Sequence, residues 1–135
     1  MRTKLLLVLI GLAVVGCGGG MGNSDGSGPP ANIPRTDTFS MLSQSQAGAL
    51  CDYIAVTNGG YGRSMTCPNG GMQANNASQS DCVAGAAPIG YYCPTFTVGQ
   101  AEDCATAVGL DICNVTLDVA CNAYEACLTQ LALAL

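Results

Sequence analysis

Apolar residues follow two patterns along this chain: one unbroken run near the start, and spaced clusters after residue 38. The run is Leu5-Leu6-Leu7-Val8-Leu9-Ile10-Gly11-Leu12-Ala13-Val14-Val15, with Arg2 and Lys4 ahead of it. A bilayer-spanning helix needs about 20 such residues. This run is shorter and fits the apolar core of an export signal over residues 1–16. Residues 18–37 hold little that can be buried: Gly and Ser read as a flexible tether, and Pro29-Pro30 and Pro34 stiffen its far end.

From residue 38 the spacing turns helical. A first helix is expected near Ser40–Val56, capped by Asp37 or Thr38, with Met41, Leu42, Leu50, Tyr53 and Ile54 on one face. Asn58-Gly59-Gly60 stops it. Ser78 followed by Asp81 suggests a short second helix near Gln79–Ala86. Thr97 and Gln100 have the spacing of a capping box, which predicts a third helix over Val98–Val108 ending at Gly109. A fourth is expected over about Leu117–Leu133, with Leu117, Cys121, Tyr124, Leu128, Leu131 and Leu135 in register. Asn69-Gly70 marks a turn, and Tyr91–Thr97 is the best strand candidate. The pattern is that of a mainly α, loop-rich domain of about four short helices over residues 38–135.

Composition says how such a domain must be held together. There is no Trp, and the aromatics are two Phe and five Tyr. Much of the apolar content is Ala, which buries little surface, so a domain this small needs covalent staples. Nine cysteines are present. With Arg2 and Lys4 in the export segment, the rest carries only Arg35 and Arg63 against nine acids, and no Lys or His. A nucleic-acid partner is excluded, because nothing could neutralise a run of phosphates. A polybasic membrane patch is excluded likewise.

The apolar run ends in Val14-Val15-Gly16-Cys17. This resembles the bacterial lipobox, in which two aliphatic or small residues precede Gly or Ala and then Cys. The resemblance implies cleavage after Gly16, with Cys17 as the new first residue, its sulfur carrying a diacylglycerol and its amine an acyl chain such as palmitate. Two or three chains make a stable anchor, so the lipid bilayer becomes the first partner. Gly18 rather than Asp follows the cysteine, which in such lipoproteins implies an outer-membrane address in the cell envelope.

Removing Cys17 leaves an even set: Cys51, Cys67, Cys82, Cys93, Cys104, Cys113, Cys121 and Cys127. In an exported chain this predicts four disulfides, among roughly a hundred connectivities. An antiparallel hairpin of the third and fourth helices would pair Cys104 with Cys121 and bring Cys93 to Cys127; closure of Cys113 on Cys121 is the local alternative. There is no Cys-x-x-Cys pair for redox chemistry, and no close cysteine pairs or His for zinc. No cofactor or metal is expected. Asn23-Ser24-Asp25-Gly26 lacks the further carboxylates of a calcium loop.

Candidate chemistry is sparse. Glu102 and Asp103 are adjacent on a helix and point about 100° apart, so they read as solvated acids of a helix N-terminus. Gly59-Gly60-Tyr61-Gly62 has no Lys and no strand–loop–helix context for a phosphate loop. Tyr61, Tyr91 and Tyr92 are the candidates for a contact surface toward an envelope protein or glycan. The sequons at Asn76 and Asn114 carry little weight in such a chain. The layout Cys51-Asp52-Tyr53, Gly59-Gly60-Tyr61-Gly62, Cys67 and Thr97-Val98-Gly99-Gln100, with crowded later cysteines, resembles small Cys-rich bacterial envelope lipoproteins of uncharacterised function. That resemblance spans residues 39–127 loosely and implies shared architecture alone. The expectation is a non-catalytic binding or structural module. The alternative is a small enzyme or enzyme inhibitor working through Asp, Ser or Tyr.

Overall fold

A computed structural model describes residues 28–30 and 32–134. The export segment, Gly16, Cys17, the linker through residue 27, and Leu135 lie outside the described residues. The elements in chain order are α1 (Gln44–Thr57), the hairpin strands β1 (Ser64–Thr66) and β2 (Met72–Ala74), α2 (Gln79–Tyr92), α3 (Val98–Val108) and α4 (Asn122–Ala134). Short 3-10 turns precede α1 at Phe39–Met41 and α4 at Ile112–Thr116 and Val119–Cys121. The domain is mainly helical and disulfide-rich.

Local chemistry sets the helix starts. α3 follows its sequence signal residue for residue: Gln100 N donates to Thr97 Oγ1, and Thr97 N donates back to Gln100 Oε1. α1 starts later than expected, because Ser43 rather than Asp37 or Thr38 caps it, in a capping box with Gln46. Thr38 is instead held in a single antiparallel bridge with Thr97, and extended Leu42 separates the Phe39–Met41 turn from the helix.

α2 runs beyond Ala86 to Tyr92 with Pro88 inside it. The strand expected over Tyr91–Thr97 is therefore absent: Tyr91 and Tyr92 finish α2, and Phe96 N closes a turn on Cys93 O. Packing accounts for both. Ile89 and Tyr92 pack on the cluster of Cys93, Phe96, Ala101 and Cys127, which rewards the added helical turns despite the missing Pro88 donor. The fourth helix also starts late, at Asn122; Asp118 caps the Val119–Cys121 turn, and Leu117 is 79% exposed rather than on the core face.

The hairpin was not foreseen from the apolar pattern. Its register is Ser64↔Ala74, Met65↔Gln73 and Thr66↔Met72. Pro68-Asn69-Gly70 makes the turn, in which Gly70 N donates to Cys67 O and Gly70 takes φ 77°, a conformation natural to glycine.

Four disulfides join these elements. Cys51–Cys82 ties α1 to α2, and Cys67–Cys113 ties the hairpin to the Ile112–Thr116 turn. Cys93–Cys127 ties the end of α2 to α4, and Cys104–Cys121 ties α3 to the turn before α4. The last two are the pairs expected of a hairpin of the third and fourth helices; the Cys113–Cys121 alternative is not formed. The seam between α1 and α3 has no disulfide. It is held by Leu50 and Val98 in one cluster, by Tyr53 Oη against Thr106 Oγ1 at 3.0 Å, and by Asn58.

Candidate functional site

Among the described residues, two polar clusters and one shallow cavity gather the groups capable of chemistry, and each is built from groups the fold already uses. The first cluster lies where the chain enters the domain. Residues read as tether turn out to be packed: Ile33 is 5% exposed and joins Leu50 and Val98. This strap supplies the carbonyls that the first turn of α3 lacks, since Val98 N donates to Asp37 O and Gly99 N to Arg35 O. Glycine is needed at position 99, where a Cβ would come within 3.0 Å of Arg35 O. The boundary drawn by composition at residue 38 thus falls inside packed structure, which reaches back at least to Ile33.

The strap also brings Arg35 onto α3. Its Nη1 donates to Glu102 Oε2 at 2.7 Å, and its Nη2 donates to Asp103 Oδ1. Glu102 is not the solvated acid expected from the sequence; it is 1% exposed, on the face of α3 shared with Val98 and Ala105. Burial pushes its carboxyl above the usual range, and Arg35 pulls the other way. Its Oε1 has no hydrogen-bond partner among the described residues. Asp103 is exposed, as expected.

The second cluster centres on Asp52. Tyr61 Oη donates to Asp52 Oδ1 at 2.8 Å, and Gln79 Nε2 donates to Asp52 Oδ2 at 2.8 Å. Burial and then donation to Asp52 raise the Tyr61 hydroxyl well above its ordinary value, so it stays protonated. Tyr61 is thereby a brace between the loop after α1 and the start of α2. Tyr91 and Tyr92 form an edge-to-face pair at 4.8 Å at the other end of α2, Tyr91 out in solvent and Tyr92 partly packed on the core. The 14 residues from Gln79 to Tyr92 span about 20 Å of helix. The three tyrosines therefore do not form one contact surface.

A shallow cavity of about 130 Å³ is lined by Thr95, Phe96, Gln100, Gln130 and the Cys93–Cys127 disulfide. No carboxylate or tyrosine lines it, and it is smaller than the ligand pockets of enzymes, about 300–1,000 Å³. Among the described residues no three His, Cys, Asp or Glu side chains converge as a metal site would require. No described helix is long and apolar enough to cross a membrane.

Asn58 is the residue that sequence reasoning missed. It reads as a turn signal, yet it is buried, and its amide donates to Ala105 O at 2.9 Å and Gly109 O at 2.7 Å while its own carbonyl receives Arg63 and Asn75. Glu102 did carry a signal, since it falls four residues after Val98 and three before Ala105 on an apolar face. No family model, curated protein or solved structure matches this chain.

Proposed function

We propose that this chain is an envelope lipoprotein, anchored through acylated Cys17 and addressed to the outer membrane, whose stapled domain serves as a non-catalytic binding or structural module. One observation carries the reading: all eight cysteines after Cys17 are consumed in four disulfides, which leaves Cys17, at the end of a lipobox-like Val14-Val15-Gly16, as the odd thiol. The module part is supported by how the acids are spent. Asp52 is engaged by Tyr61 and Gln79, and Glu102 by Arg35, so neither faces the one cavity described above.

Labelling cells with a palmitate analogue and fractionating their membranes tests the anchor. The wild-type chain is expected to take up label and sediment with the outer membrane, and Cys17→Ser to lose both the label and its processing. A Cys17→Ser chain that is still cleaved and still membrane-bound would overturn the reading.

A further inference from the structure

The chain contains two Asn-Gly pairs, Asn58-Gly59 and Asn69-Gly70, and the fold treats them oppositely. An asparagine before glycine is open to attack by the glycine's own backbone nitrogen, because no Cβ shields the approach. At Asn58 every reacting part is held. The residue is buried, its Nδ2 donates to Ala105 O and Gly109 O, and Gly59 N donates to Val56 O. The Arg63 side chain lies over Gly59, in the space a Cβ would take. Asn69 and Gly70 are instead both exposed at the tip of the hairpin, and Asn69 Nδ2 makes no hydrogen bond among the described residues. Asn69 Oδ1 accepts from Gly71 N at 2.9 Å, which folds the side chain along its own backbone and polarises the amide carbonyl. Apart from its chain neighbours, no described group comes within 4 Å of where a Gly70 Cβ would stand. The one bond in the way is Gly70 N to Cys67 O, at 2.8 Å.

We propose that Asn69 is a modification site, at which the folded chain deamidates by attack of its own backbone while Asn58 is spared. Gly70 N gives its proton to solvent and bonds to Asn69 Cγ; the Cγ–Nδ2 bond breaks, and Nδ2 leaves as ammonia. Water then opens the cyclic imide. Cleavage of Gly70 N from Cγ leaves aspartate, and cleavage from the Asn69 backbone carbonyl carbon leaves isoaspartate. The sum is amide plus water giving carboxylate plus ammonium, with no oxidant or reductant. The step needs Cys67 O to release Gly70 N, a local opening of the exposed Pro68–Gly70 tip that leaves the Cys67–Cys113 disulfide in place. The same step at Asn58 needs two buried amide bonds and the α1–α3 seam to open together. No charged residue lies from Ser64 to Ser80, so the new carboxylate is the first charge on the strands or turn of the hairpin. As aspartate it keeps an oxygen facing Gly71 N, and the turn survives. As isoaspartate it adds a methylene to the backbone before Gly70 and displaces the tip. The site does not depend on acylation of Cys17.

The test is timed incubation of the whole oxidised chain in mildly alkaline buffer made with heavy-oxygen water, followed by peptide mapping. The expected result is heavy oxygen in the Asn69 peptide, as a mixture of aspartate and isoaspartate. Conversion at Asn69 should outrun Asn58 by about tenfold or more, since Asn58 must break a further hydrogen bond and leave a buried site. It should be roughly fivefold slower than in the reduced, unfolded chain, the effect of the one bond to Cys67 O. In that unfolded chain the two asparagines should convert at nearly equal rates, because only the fold distinguishes them. Asn69→Gln, whose longer side chain closes a larger and slower-forming ring, should keep its disulfides and lose conversion at this position. Equal conversion of Asn58 and Asn69 in the folded chain would overturn the proposal. So would an Asn69 still intact long after the unfolded chain has converted fully, or aspartate formed without isoaspartate. The membrane address of Cys17 would be unaffected by any of these results.

Discussion

Arg35 and Glu102 stand 67 positions apart in the chain and meet at 2.7 Å, so that the last stretch before the first helix is clamped to a carboxylate inside α3. The pair fastens the strap to α3, which no disulfide does. It also makes stability depend on pH in an unusual direction. A carboxyl raised by burial binds its proton more tightly folded than unfolded, so protonation favours the fold. Stability from this group should rise as pH falls from neutral through its raised folded value. Thermal melts from pH 7 toward the ordinary carboxyl range should show a component of this sign that Glu102→Gln removes. Arg35→Gln should steepen it, because the buried carboxylate would lose its counter-charge.

Ile33→Ala should loosen the strap without unfolding the domain. The expected readout is faster exchange of the Val98 and Gly99 amides, which donate to Asp37 O and Arg35 O, with the Asp81 amide unchanged. Truncation of a buried Ile costs about 2–5 kcal/mol where the site cannot collapse. A strap that peels locally should show the lower part of that range. Unchanged exchange at both amides would mean that Ile33 is not what seats the strap.

Asn58→Ala should be among the most damaging single changes outside the cysteines. It strands Gly109 O and takes from Ala105 O one of its two donors, the other being Gly109 N, across the α1–α3 seam. A loss of about 2–3 kcal/mol follows for the pair. Chemical denaturation of the oxidised protein measures it, and Asn58→Asp should be no better, since a carboxylate would face the same carbonyls.

Gly90→Ala should destabilise α2 against the Phe39–Met41 turn. A Cβ there would come within 2.8 Å of Ser40 N, which is backbone and can yield only by moving the turn. Overpacking of this kind costs about 1–3 kcal/mol. Gly85→Ala on the same helix meets nothing within 4 Å and should be neutral or slightly stabilising in the same melt.

The four disulfides should open in an order set by access. Cys82 and Cys113 are half-buried, whereas Cys104 and Cys121 are both buried. Limited reduction followed by alkylation and peptide mapping should label the Cys51–Cys82 and Cys67–Cys113 pairs first, and Cys93–Cys127 and Cys104–Cys121, in which both cysteines are buried, last. Without reductant none of the eight should be labelled.

The sequence by itself determined what depends on neighbours in the chain. Thr97 and Gln100 start α3 by bonding to each other's backbone, Gly109 ends it, and an even set of cysteines after Cys17, in an acid-rich chain without Lys or His beyond residue 4, leaves disulfides as the staple. Two of the four pairs were legible because helix spacing brings Cys104 to Cys121 and Cys93 to Cys127. The tertiary structure alone decided the rest, where long-range packing overrides local preference. Pro88 stays helical because Ile89 and Tyr92 gain a core to pack on, and that removes the strand expected from Tyr91 onward. Thr38 does not cap α1 because Thr97, far along the chain, holds it. Arg35 looked like tether and Glu102 like a surface acid; each is defined by the other, and no local pattern contains that contact.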